Sequence, residues 1–166
     1  ASEQRGGGFG FRHGVDRELI IFDEGLVLID RTCLSTGFAP FSDEEPRQSK
    51  DGLVLEKIDD RRYRLSQNDE PTIEMQVYDP AEPARPSGLI SGQGWLRMTY
   101  DGEGRLRALR TADGAVLELE YSEALLVAAQ LIAEPGATPE TVLRYRYDDL
   151  GRLLLTESRG VTVGQY

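Results

Sequence analysis

One phrase occurs twice in the chain, as Tyr100-Asp101-Gly102-Glu103-Gly104-Arg105-Leu106 and as Tyr147-Asp148-Asp149-Leu150-Gly151-Arg152-Leu153, and both copies read Tyr-Asp-x-x-Gly-Arg-Leu. Each copy is approached by alternating residues. Leu96, Met98 and Tyr100 share one face, as do Leu143, Tyr145 and Tyr147, while Arg97 and Thr99, or Arg144 and Arg146, take the other. Alternation with period two is the signature of a strand. An aspartate whose side chain can bond its own backbone, followed closely by a glycine that tolerates positive φ, then reverses the chain. Arg-Leu restarts a strand. A degenerate third unit lies between the copies, where Leu117, Leu119 and Tyr121 alternate with Val116, Glu118 and Glu120, but no Gly-Arg-Leu follows. Tyr100, Tyr121 and Tyr147 stand 21 and 26 residues apart, room for two short strands and their turns per unit. The repeat is β, not helical. The residues Tyr100, Asp101, Gly104, Arg105, Leu106, Tyr121, Tyr147, Asp148, Gly151, Arg152 and Leu153 are its structural positions.

Composition agrees. Among 166 residues, 18 glycines and 8 prolines suit many short strands joined by turns, so the chain is expected to be mostly β, built of consecutive antiparallel hairpins. The length corresponds to one domain or a portion of a larger one. A formal net charge of −10 repels phosphate backbones, which disfavours nucleic-acid binding. No apolar run reaches the ~20 residues of a membrane span, and no signal peptide is expected. One cysteine, Cys33, cannot form an internal disulfide, so folding needs no oxidising compartment, and it reads as a small buried hydrophobe.

In order, residues 1–10 read as a flexible glycine-rich leader, residues 11–79 as an irregular β-hairpin region and residues 88–166 as the repeat region. The three glycines of the leader do not make a phosphate loop, since no strand precedes them and no Gly-Lys-Ser/Thr follows. Strands are expected at Glu18 to Phe22, Leu26 to Asp30, Ser35 to Phe38, Leu53 to Ile58, Arg62 to Leu65 and Thr72 to Tyr78. Asp23-Glu24-Gly25 signals a hairpin between the first two. Ser42 to Asp51 reads as a polar surface loop with room for a single helical turn, and Asp79 to Ser87, with three prolines, as the longest loop after the leader. Residues 123–134 are open between helix, by composition, and strand, by repeat register; register outranks local propensity here.

The repeated phrase resembles the YD repeat of the bacterial Rhs proteins and their teneurin relatives. The resemblance extends to Gly8-Phe9-Gly10-Phe11-Arg12-His13-Gly14-Val15-Asp16-Arg17-Glu18-Leu19, which is similar to the Gly-x-Gly-Trp-Arg-His-x-x-Asp-x-x-Leu segment opening the shell of many Rhs proteins, with Phe11 in the place of Trp. It implies that the hairpins form part of a curled sheet, a hollow β shell enclosing a polymorphic toxin domain before delivery, often by a type VI secretion apparatus. The chain is then a fragment of that shell. Its implied partners are the remaining shell segments or the toxin domain, or other copies met through edge strands. It would be made in the bacterial cytoplasm and exported by a specialised system. The family's Asp-Pro-x-Gly-Leu self-cleavage signature is absent, since Asp79-Pro80 is followed by Ala81. Self-cleavage is therefore not carried over.

Catalytic candidates are few. His13 is the one histidine, and with one Cys it offers no metal-ligand cluster. The pairs Asp23-Glu24, Glu44-Glu45, Asp59-Asp60 and Asp148-Asp149 fall at expected turns, where carboxylates cap backbone and stay wet rather than flank a substrate. Arg97, Arg105, Arg144 and Arg152 are expected to bridge to carboxylates across neighbouring strands. Trp95 and the tyrosines are expected on the core-facing side rather than on a glycan platform. No enzyme activity and no cofactor is expected. The alternative reading is a small β binding module recognising a basic protein or a glycan, such as a neutralising partner of a toxin.

Overall fold

The structure, a computed structural model, describes residues 17–30, 32–42, 44–68 and 70–166. The leader and His13 lie outside the described residues, as does most of the Gly8 to Leu19 phrase. Every regular element is a β-strand, every pairing is antiparallel, and no helix occurs among the described residues. The chain divides into two compact units, residues 17–97 and residues 98–166 as described.

In the first unit β1 (Glu18–Phe22), β2 (Gly25–Ile29) and β3 (Ser35–Phe38) form a three-stranded sheet in that order. There follow, each paired to the next, β4 (Arg47–Lys50), β5 (Leu53–Lys57), β6 (Arg62–Gln67), β7 (Thr72–Gln76), β8 (Arg85–Ser91) and β9 (Gly94–Tyr100). Alternation puts one apolar row across the ladder: Leu55 pairs Leu65, Leu65 pairs Ile73, and Ile73 pairs Leu89. That row meets Leu19, Leu26, Leu28 and Phe38 of the three-stranded sheet in a single core with Tyr63, Met75, Val77 and Ala84. Leu19, Leu55, Leu65 and Met75 are fully buried, and each such side chain contributes roughly 1.5 to 3 kcal/mol.

The sequence hides one strand here. Ser42 to Asp51 is not a loop throughout, because Arg47–Lys50 forms β4 and turns through Asp51 and Gly52, both at positive φ (51° and 79°), into β5. Its polar composition is that of an edge strand held by side chains. The Gln48 amide accepts from the Ala39 N–H at 3.0 Å and donates to the Ala39 carbonyl at 2.9 Å, and Lys50 Nζ donates to the Gly37 carbonyl at 2.9 Å. Likewise β8 starts at Arg85, inside the proline-rich loop expected to run to Ser87, and tolerates Pro86 beside a register shift in the ladder.

In the second unit the end of β9 is followed by β10 (Leu106–Thr111), β11 (Val116–Ser122), β12 (Leu125–Ile132), β13 (Glu140–Tyr147), β14 (Leu153–Ser158) and β15 (Val161–Gln165), with β10 to β15 each paired to the next. Residues 125–132, open between helix and strand in the sequence, form β12. The helix-forming residues are overruled because β12 pairs on both sides, Leu119 with Ala129 and Ala129 with Leu143, and buries Leu126, Ala128 and Ala129. Alternation holds across the unit, with Met98 and Leu119 buried and Thr99, Glu118, Glu120, Arg144 and Arg146 exposed.

Candidate functional site

The two copies of the repeated phrase fold into the same turn, bond for bond. In the first, the Asp101 N–H donates to the Arg105 carbonyl and the Gly104 N–H to the Asp101 carbonyl, both at 3.0 Å. In the second, the Asp148 N–H donates to the Arg152 carbonyl at 3.0 Å and the Gly151 N–H to the Asp148 carbonyl at 2.9 Å. This is a three-residue hairpin loop whose last residue is left-handed, and the glycines take that place at φ 77° and 74°.

The aspartate holds the turn from inside. Asp101 Oδ1 accepts the Glu103 and Arg105 amides at 3.0 and 2.9 Å, and its Oδ2 accepts from Arg105 Nε at 2.8 Å. Asp148 repeats all three, with Leu150 and Arg152 amides at 3.0 and 2.8 Å and Arg152 Nε at 2.7 Å. Burial pushes the Asp101 carboxyl up, but the Arg105 amide and guanidinium and the Glu103 amide outweigh it and hold it below the usual range. The Arg152 amide and guanidinium hold Asp148 down in the same way. Arg105 and Arg152 thus pair with the aspartates of their own turns rather than with carboxylates of a neighbouring strand. Of the four arginines expected to bridge strands, Arg97 does so, pairing with Glu74 of β7, and Arg146 lies 3.8 Å from Glu157 of β14.

Arg105 also reaches the next hairpin. Its Nη1 donates to the Glu123 carbonyl and its guanidinium lies 5.1 Å from the centre of the Tyr121 ring. The degenerate unit turns there through Glu123, at φ 53°, without an Asp-Gly of its own. The bond from Arg105 supports a backbone conformation that a non-glycine residue adopts at a cost.

The tyrosines connect unit to unit. The Tyr121 hydroxyl donates to the Leu106 carbonyl at 3.0 Å, and the Tyr147 hydroxyl to the Leu126 carbonyl at 2.8 Å. Both rings sit beside a register shift, between Glu120 and Tyr121 and between Arg146 and Tyr147. A bulge re-aims the side chain at its site. Here it tips each tyrosine back over the strand before it. The Tyr100 hydroxyl lies 3.9 Å from the Met98 sulfur.

Two turns of the same build escaped the sequence reading. At Asp30 the carboxylate accepts the Thr32 and Leu34 amides at 2.7 and 3.0 Å, the Asp30 N–H donates to the Leu34 carbonyl, and the Cys33 N–H to the Asp30 carbonyl, each at 3.0 Å. Cys33 stands at φ 64° in the glycine position and is exposed, so it is not the buried hydrophobe expected. The Asp-x-x-spacing was its signal, masked by cysteine. At Thr111 the backbone bonds recur, with Gly114 at φ 93° and the threonine hydroxyl donating to Asp113 in place of an aspartate bond.

The other candidates are dispersed. Asp23-Glu24 and Asp148-Asp149 occupy hairpin turns, Asp59-Asp60 a bend and Glu44-Glu45 the approach to β4, and no group of three potential metal ligands gathers among the described residues. Trp95 lies on the exposed face of β9 with the Arg97 guanidinium 5.7 Å from its ring centre, not on the core side expected from the alternation. Arg144 is exposed on β13. What the repeated site can do chemically is hold backbone: it orders turns and ties successive hairpins together. Comparison of the chain with known protein-family models and with characterised proteins finds no match.

Proposed function

We propose that this chain is a structural, non-catalytic segment of an Rhs-like, YD-repeat protein, contributing hairpins to a β shell that encloses a toxin domain for delivery between bacteria. The observation that carries the reading is the pair of bond-for-bond identical turns at Asp101 and Asp148, joined in series by the Tyr121 and Tyr147 hydroxyls. A residue set spent on capping backbone and linking one hairpin to the next serves extension of a sheet. The outermost strand supports the same reading. Val161 and Val163 of β15 are 65% and 61% exposed, on a strand with a partner on one side only among the described residues.

The test is the mass of the purified chain by light scattering over a range of concentrations. Growth with concentration, suppressed by a longer polypeptide carrying further Tyr-Asp-x-x-Gly-Arg-Leu units, supports a shell segment. A single sharp species with no growth overturns it and favours a finished binding module.

A further inference from the structure

The first unit contains a half-open cavity of about 510 Å3 that takes no part in the repeated turns. Ile20, Ile21 and Phe22 of β1 line one side and Pro80 to Pro83 the other, while Tyr63 and Val77 reach it from the core. Ile21 and Phe22 are 42% and 55% exposed there.

The cavity exists because a strand pairing begins and stops. β1 is the outer strand of its sheet, and Leu19 exchanges two backbone bonds with Ala84, at 3.0 and 2.8 Å. Beyond that bridge the opposing segment leaves, since Pro83 has no N–H and the Glu82 N–H is turned inward to the Asp79 carbonyl at 3.0 Å. Residues two apart on a strand point their N–H and C=O to the same edge. Ile21 therefore presents both groups on the side where Leu19 met Ala84, and among the described residues neither has a backbone partner. An unmet strand edge beside an apolar cavity has the two elements of strand-addition recognition: main-chain bonds for affinity and a pocket for one side chain.

The charges select the occupant. The lining holds Asp23, Asp60 and Glu82 against Arg61. Asp60 is paired with Lys57 and Glu82 with Arg85, which leaves Asp23 and Glu24, in the turn after Phe22, and Arg61 without an ion-pair partner among the described residues, an excess of one carboxylate. The chain as a whole carries a net charge of −10.

We propose that β1 is a docking edge for an extended, basic segment of a partner protein. The segment pairs its backbone with Ile21, seats one apolar side chain against Phe22, Tyr63 and Val77, and lays a Lys or Arg against Asp23. The proposal is independent of the shell reading, because it rests on the first unit alone.

The test uses the full chain and a fluorescent octapeptide of alternating lysine and leucine, followed by anisotropy and by amide chemical shifts. Saturable binding is expected, with shifts centred on Ile21, Phe22, Tyr63 and Val77. Asp23→Lys, on an exposed turn, weakens it by about fivefold, the scale of one exposed charge pair. N-methylation of the central leucine, a change to the probe alone, abolishes it. Equal binding of a glutamate–leucine octapeptide, indifference to N-methylation, shifts elsewhere, or no binding at millimolar peptide each overturns the proposal. So does concentration-dependent dimerisation with shifts at Ile21 in the absence of peptide, which makes a second copy the occupant.

Discussion

The Tyr147 hydroxyl stands 2.8 Å from the Leu126 carbonyl, one hairpin back along the chain, as the Tyr121 hydroxyl stands 3.0 Å from that of Leu106. Each bond is made by a partly buried ring to a main-chain oxygen near the start of a strand, so it fixes two elements at once. Tyr147→Phe and Tyr121→Phe keep the ring and remove the hydroxyl that makes that bond. Each is expected to cost about 1 kcal/mol in urea-induced unfolding, the net worth of one such hydrogen bond. The double variant, acting on different strand pairs, should lose the sum.

The first Asp-x-x-Gly turn contains two glycines in different situations, and this separates backbone conformation from space. A Cβ on Gly102 would meet nothing within 4 Å, and its φ is one that any residue adopts. Gly104 is left-handed at φ 77°. Gly102→Ala is expected within about 0.5 kcal/mol of the parent and Gly104→Ala to lose about 1 to 2 kcal/mol. The reverse experiment is available at Cys33, which holds the same left-handed place at φ 64°. Cys33→Gly should raise the thermal midpoint slightly, strain relief exceeding the added freedom of the unfolded chain. A fall would show that the cysteine side chain contributes something the turn geometry does not.

These turns also mark how far the sequence can be read. The Asp101 and Asp148 hairpins were legible because both halves of the mechanism, an acceptor side chain and a glycine three residues on, are written in residue types. The Asp30 turn uses the same bonds and was not legible, because Cys33 adopts by context a conformation that its type does not advertise. β12 could be read only through the repeat, its composition pointing to helix. β4 was missed although Asp51-Gly52 is a strong hairpin signal, since Arg47, Gln48, Ser49 and Lys50 carry no apolar alternation. The reach of Arg105 to Glu123 is beyond any local pattern, as it depends on where two turns meet in space. The cavity at β1 depends in the same way on the departure of Pro83 from a strand more than sixty residues earlier in the chain, a relation the linear sequence does not display.

Gly25 is the most constrained glycine of the first unit. It closes the β1–β2 hairpin opposite Phe22 at φ 153°, and an added Cβ would lie 2.5 Å from the Phe38 carbonyl oxygen. That oxygen belongs to backbone of the paired strand β3 and cannot swing aside. Gly25→Ala is expected to lose about 2 kcal/mol or more, and because Leu26 and Phe38 lie in the core the loss should appear as a lower urea midpoint for the whole first unit. An unchanged midpoint would mean that β3 shifts without cost to that core.

Acid should loosen the repeated turns in a defined window. Hydrogen bonds hold the carboxyls of Asp101 and Asp148 below the ordinary aspartate value of 3.8, where they titrate once the chain unfolds. With the folded value depressed, the unfolded state binds more protons in this range, so stability rises with pH there. The contribution is complete above roughly pH 5 and is lost as pH falls through 3.8 toward the lower folded values. Asp101→Asn and Asp148→Asn keep the shape and one acceptor oxygen but remove the charge. Each variant is expected to be less stable than the parent at neutral pH and to lose less on going from about pH 5 to pH 3, so the two urea midpoint curves converge at low pH. Parallel curves would show that the Asp–Arg bonds of the turn carry no ionic component, and Arg105 would then act through its reach to Glu123 alone.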